Sequence, residues 1–92
     1  MRTIERSSAF KRDFKREQKG QHRAILAEVL VPVLQSLAAD LPLEERNRDH
    51  DLSGEWGGYR ECHIKPDLLL IYRKQEKTLK LARLGSHSLL FG

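Results

Sequence analysis

One change of hydrophobic period constrains this 92-residue chain more than any other feature. Through residue 40 the apolar side chains recur every three or four positions, the period of a helix. After Tyr59 they alternate or run together, as in strands. The clearest piece is "LLLIYR", residues 68–73, with five apolar side chains in succession. An extended segment points successive side chains to opposite faces, so both faces of this one are apolar. Such a strand belongs in the middle of a sheet, covered on both sides.

The neighbours of that strand follow from it. "YRECHIK" alternates, with Glu61, His63 and Lys65 on one face and Cys62 and Ile64 on the other. Pro66 and Asp67 form the turn into the central strand. "RKQEK" is the next turn and "TLKLARL" the next strand, and the tail after Gly85 is predicted as a last short edge. "MRTIERS" reads as a short first strand, after which Ser7 or Ser8 caps a helix. In that helix Phe10 and Phe14 share one face, basic residues cover much of the rest, and Gly20 is the stop. In "HRAILAEVLVPVLQSLAAD", Ile25, Val29, Val33 and Leu37 form one row and Leu26, Leu30, Leu34 and Ala38 the next. That is the wide apolar stripe of a helix lying on a core, and Pro32 is expected to kink it. "LPLEERNRDHDLSGEWGG", 18 residues, reads as a polar, irregular connection, and a loop that long in so small a domain is often functional. The order β-α-α-β-β-β predicts an α+β fold: a single domain over residues 1–92, with an antiparallel sheet of four or so strands and two N-terminal helices on one face.

Composition narrows the class. A lone cysteine, Cys62, excludes an internal disulfide and a tetrathiolate zinc site. The start, "MRTIERSSAF", has no apolar run after its charges, and no stretch approaches the roughly 20 apolar residues of a membrane span. The expectation is a cytoplasmic protein with no membrane partner. The net charge is +4, unevenly spread. Residues 1–24 carry eight Lys/Arg against three Asp/Glu, residues 25–58 two against seven, and residues 59–92 seven against three. Two basic ends that meet in space make a surface that draws in phosphate backbones.

The histidines carry the chemistry on offer. His22 begins the second helix and reads as solvated. His50, His63 and His87 fall in the long loop, a strand and the tail. No two histidines are closer than thirteen residues, which is not the paired spacing of a zinc site. Histidine takes and gives protons near neutrality. Cleaving RNA without a metal needs a base for the 2′-hydroxyl, an acid for the departing 5′-oxygen and a cation for the charge on the phosphate. His50, His63, His87 and Arg83 match those roles, and Asp67 lies near His63 across the Pro66 turn. Trp56 and Tyr59, in "GEWGGYR", and Phe91 in the tail are rings on which bases can stack, although sealing one end of the core is an equally ordinary use for the first two. Cys62 faces away from His63 and reads as a small buried apolar residue.

"HDLSGEWGGYRECHIKPDLLLIYR", followed by "RLGSHSLLFG", closely resembles the YafQ branch of the RelE/ParE toxin superfamily, and the resemblance runs essentially the whole chain. It implies a RelE-like fold with a twisted antiparallel sheet. It implies the toxin half of a bacterial type II toxin–antitoxin pair, which enters the ribosomal A site and cuts messenger RNA there. The partners implied are a cognate antitoxin that wraps and blocks the toxin, the bacterial ribosome and the message; no metal or cofactor is implied. The active-site residues implied are His50, His63, Asp67, His87 and Phe91, with Arg83 supporting the phosphate. The chain departs from many relatives at Glu61, where they carry Asp, and at Leu68, where they carry an aromatic. Lys11, Arg12, Lys15, Arg16, Trp56, Arg60 and Lys65 are the expected RNA contacts. Two other readings compete: a gyrase-inhibiting toxin like ParE, whose cleft needs no histidine cluster, and an RNA- or ribosome-binding domain without catalysis.

Overall fold

The computed structural model describes residues 1–92. Its elements are β1 (Thr3–Arg6), α1 (Ser8–Glu17), α2 (Leu26–Ala38), β2 (His50–Asp51), β3 (Arg60–Lys65), β4 (Leu68–Lys74), β5 (Thr78–Gly85) and α3 (His87–Phe91). The strands form one sheet in the order β1-β5-β4-β3-β2, with β4 in the middle. Leu68, Leu69, Leu70, Ile71 and Tyr72 are all buried, as an apolar run on a doubly covered strand requires.

One face of the sheet holds the core. Cys62, Ile64, Leu68, Leu70, Tyr72, Leu79, Leu81 and Leu84 pack there against Phe10 of α1 and Leu26, Leu30, Val33, Leu37 and Ala38 of α2. Helix α2 runs on through Pro32, which lies on the solvent side where its missing donor and its ring are tolerated. It ends in a Schellman arrangement, with Leu41 N–H on the Ser36 carbonyl, Asp40 N–H on the Leu37 carbonyl and Asp40 at φ 59°. Asp40 then bonds Arg2 at 2.7 Å and Lys74 at 3.0 Å, tying the helix end to the start of edge strand β1 and the end of central strand β4. No helix is long and apolar enough to cross a membrane.

Three features differ from the sequence reading. First, the sheet is mixed: β1 pairs parallel to β5, with Thr3 beside Thr78 and Arg6 beside Leu81. The hairpins β3–β4 and β4–β5 set antiparallel pairs through short turns. β1 instead reaches its partner after the two helices have crossed the sheet, the long connection a parallel pair needs. Second, the long connection contains β2, which pairs His50 with Glu61 and Asp51 with Arg60. Third, the tail is a helix rather than an edge strand. Ser86 is extended and its hydroxyl accepts from Leu89 N–H at 3.2 Å, so it caps α3.

Helix α1 takes over the β5 edge where β1 stops. Ser7 caps α1 by accepting from Phe10 N–H at 2.9 Å, and its hydroxyl donates to the Ala82 carbonyl at 2.8 Å. Ala82 is the extra residue of a bulge, because Ile71 pairs with Arg83 and Tyr72 with Leu81. Beyond it, Leu84 N–H donates to Asp13 at 2.9 Å, and Arg16 donates to the Leu84 carbonyl at 2.8 Å. Side chains of α1 thus satisfy ladder groups that a strand would otherwise pair.

Candidate active site

The face of the sheet away from the core carries several of the candidate residues, and register aligns them. Paired residues in adjacent strands point to the same face. His50 pairs with Glu61, Glu61 with Ile71, and Ile71 with Arg83, so one row crosses four strands. At about 4.8 Å per strand the row spans roughly 14 Å. The next row is His63, Leu69 and Gly85. Leu69 and Ile71, 1% and 0% exposed, form an apolar floor between His63 and Glu61 on one side and Arg83 on the other.

Glu61 is the pivot of the β2–β3 end. Its side chain is 7% exposed, and one oxygen lies 3.6 Å from His50 Nε2 and 3.6 Å from His63 Nε2. His50 Nδ1 stands 2.6 Å from the Arg48 carbonyl. A carbonyl only accepts, so Nδ1 carries a proton and Nε2 is the nitrogen presented to Glu61. That carbonyl is aimed by a left-handed Arg48, φ 48°, an uncommon conformation for a residue with a side chain. Asn47 donates to the His63 carbonyl at 2.8 Å and Asp49 accepts from the buried Tyr72 hydroxyl, so both residues fasten the loop around His50. Burial first, and the Asp49 carboxylate second, push the Tyr72 phenol above its usual range.

Arg83 stands at the other end of the row, held by Asp13 through Nε at 2.7 Å and Nη2 at 3.3 Å. Gly85 follows on the same face. A Cβ there would meet Leu89 Cδ2 at 2.8 Å and Arg16 Nη2 at 2.9 Å, so α3 lies directly on the glycine. That contact carries His87 and Phe91, which are exposed and face each other at 5.2 Å between ring centroids.

The other sequence-predicted residues lie apart from this row or are already engaged. Asp67 is exposed in the β3–β4 turn with no side-chain hydrogen bond; the carboxylate that faces His63 is Glu61. Arg60 bonds Asp49 at 3.3 Å and Asp51 at 2.6 Å, and Arg16 bonds Asp13, Glu17 and the Leu84 carbonyl, so neither is a free surface cation. Lys11, Arg12 and Lys15 are exposed along α1 and bonded to nothing. Lys65 sits at a β-bulge after His63. Trp56 and Tyr59 are half-buried and meet edge to face at 5.3 Å, with Arg73 stacked 5.6 Å over the Tyr59 ring. Cys62 is wholly buried, and burial first, then the Asp49 and Glu61 charges, push its thiol far above the usual range. A cavity of about 540 Å3 opens between α2 and residues 42–47 and touches this set only at His63 and Lys65.

Sequence reasoning missed Asp13 and Asp49. A signal for Asp13 was available: it lies three residues after Phe10 and beside Phe14, on the apolar face of a basic helix. A carboxylate on that face must find cations when the face is buried.

Residues 2–92 match the model of the family described as YafQ, bacterial toxin of type II toxin–antitoxin system. The mRNA interferase toxin YafQ of Escherichia coli K12 is 38% identical over 91 residues, covering 99% of this chain and 97% of the relative. The toxin in a crystal structure of the E. coli DinJ–YafQ complex superposes with a TM-score of 0.86 at 39% identity, with 100% of both chains covered. A metal-bound toxin from Helicobacter pylori superposes with a TM-score of 0.89 at 45% identity, covering 99% of this chain and all of that one.

Proposed function

The chain belongs to the YafQ family of type II toxin–antitoxin toxins, and from that premise we infer that it is an endoribonuclease that cuts messenger RNA in the ribosomal A site. Its inhibitor is a cognate antitoxin, as DinJ is found with YafQ in E. coli. The observation that carries the reading is the row across the face of the sheet away from the core: two imidazoles on one buried carboxylate at one end, a clamped guanidinium at the other, and buried apolar residues between.

The reaction is attack of a 2′-hydroxyl on the neighbouring phosphate, giving a 2′,3′-cyclic phosphate and a free 5′-hydroxyl. The nucleophile is part of the substrate, so the protein supplies proton transfer and charge stabilisation. An imidazole on Glu61, His50 or His63, takes the 2′-hydroxyl proton, and Glu61 balances the positive charge it gains. Arg83 meets the charge that builds on the phosphate oxygens. His87 donates to the departing 5′-oxygen, and Phe91, one turn along α3 from it, is a platform for a base. Asp67 lies at the rim of the turn, where it contacts the substrate rather than His63. Lys11, Arg12 and Lys15 grip ribosomal RNA along α1.

The test is primer extension on a defined message with purified ribosomes, the protein and a His87→Gln variant. Breaks at fixed codon positions that require ribosomes and slow by about 10²–10⁴-fold in the variant are expected. An intact message with the unaltered protein overturns the reading, in favour of gyrase poisoning or binding alone. Full-rate cleavage by the variant removes His87 from the chemistry.

A further inference from the structure

Asp13 is the most deeply buried charged residue in the molecule, at 3% exposure, and the resemblance assigns it no role. Its two oxygens accept from Arg83 Nε at 2.7 Å and Nη2 at 3.3 Å, from Arg16 Nη1 at 2.8 Å and from Leu84 N–H at 2.9 Å. Burial alone would raise its pKa, but the bonds from Arg83, Leu84 and Arg16 outweigh burial and hold it below the usual carboxylate range. The carboxylate therefore stays charged in the folded protein.

The consequence for Arg83 is geometric. A guanidinium has five N–H donors in a fixed plane. Asp13 takes the Nε proton and one on Nη2, which leaves the Nη1 edge free. The Arg83 side chain is 29% exposed, on the same face as Glu61 and His63. Arg16 is shared between Asp13 and Glu17, so the cluster is two guanidinium groups on two carboxylates, and what the grip gives Arg83 is a fixed position. The same carboxylate closes the β5 edge at Leu84, so the seat of α1 and the aim of Arg83 depend on one group.

We propose that Asp13 is a positioning residue for phosphate recognition, holding Arg83 by one edge so that its free edge meets the scissile phosphate. The proposal rests on the reading of Arg83 as the phosphate-facing cation. Groups held in the productive geometry lower the barrier because they need no reorganisation as charge develops, and a displacement of about 1 Å costs roughly 10²-fold in rate.

A mutant cycle on programmed ribosomes tests it, with single-turnover cleavage measured for the unaltered protein, Asp13→Asn, Arg83→Ala and the double variant. Asp13→Asn is expected to slow cleavage by about 10²-fold with KM within about twofold. The double variant is expected to cut no more slowly than Arg83→Ala, because Asp13 acts through Arg83. If Asp13→Asn cuts at the normal rate while Arg83→Ala is slow, the proposal is wrong. If the two losses multiply in full, Asp13 serves only folding and the proposal also fails. Normal cleavage by Arg83→Ala sinks the underlying reading of Arg83, and no cleavage by the unaltered protein sinks the nuclease reading itself. Should Asp13→Asn melt below the assay temperature, Arg83→Lys asks the same question on an intact fold. It keeps the charge and loses the two-point grip. A loss near that of Arg83→Ala supports positioning, and normal cleavage overturns it.

Discussion

Replacing Tyr72 with Phe probes how the loop that carries His50 is tied to the core. The substitution removes one oxygen and leaves the ring, so it opens no cavity of consequence. The Tyr72 side chain is 0% exposed and donates to the Asp49 carboxylate. A hydrogen bond to a charged group contributes about 1.5–3 kcal/mol. Asp49 is 25% exposed and keeps Arg60 at 3.3 Å, so part of its charge stays solvated and paired. The lower half applies, about 1.5–2 kcal/mol. For a domain of this size 1 kcal/mol is roughly 4–8 °C in Tm, so Tyr72→Phe should melt about 6–16 °C lower. The pH dependence has a definite sign. The folded phenol ionises above its usual value, so the unfolded chain loses its proton first. Stability from this group is complete below pH ~10 and is lost as pH rises beyond it. Thermal denaturation followed by circular dichroism at pH 7.5 and 10.5 should show the two proteins far apart at the first and closer at the second. Cleavage should fall as well, because Asp49 directly precedes His50, the first residue of the two-residue strand β2. A Tm within about 2 °C of the unaltered protein at pH 7.5 would refute the reasoning.

Further outcomes are expected. Gly85→Ala forces the Leu89 and Arg16 side chains aside and shifts α3; stability should drop by about 1–3 kcal/mol and cleavage by more than that loss of folded protein explains, which denaturant titration beside a kinetic assay would reveal. Cys62 should resist a soluble disulfide reagent in the native protein and react at once in denaturant; rapid labelling of native protein would contradict its burial. Reversing the charges at Arg12 and Lys15 should weaken ribosome binding and flatten its salt dependence, and unchanged affinity with an unchanged slope would reduce α1 to a solvated face. Deleting residues 87–92 removes α3 only; a folded protein without cleavage is expected, and full activity would take His87 and Phe91 out of the site.

Local pattern determined much of this protein. The apolar run at 68–72 is the central strand, the parity of Cys62 against His63 holds, and the stripe of α2 is the helical half of the core. Those features are legible because periodicity and turn chemistry act between residues a few positions apart. Ser86 shows the limit within that range: a capping signal was present, and the apolar residues after it read equally well as a strand. Tertiary structure alone decided the parallel entry of β1, the row from His50 to Arg83, and the carboxylates that His50, His63 and Arg83 meet. His63 faces Glu61 rather than Asp67, and Arg83 meets Asp13 from 70 residues away. Hydrophobic periodicity records which side of an element is buried. Which two buried charges touch depends on the register between strands and the seat of a helix on a sheet edge, and these are set only when the whole chain has packed.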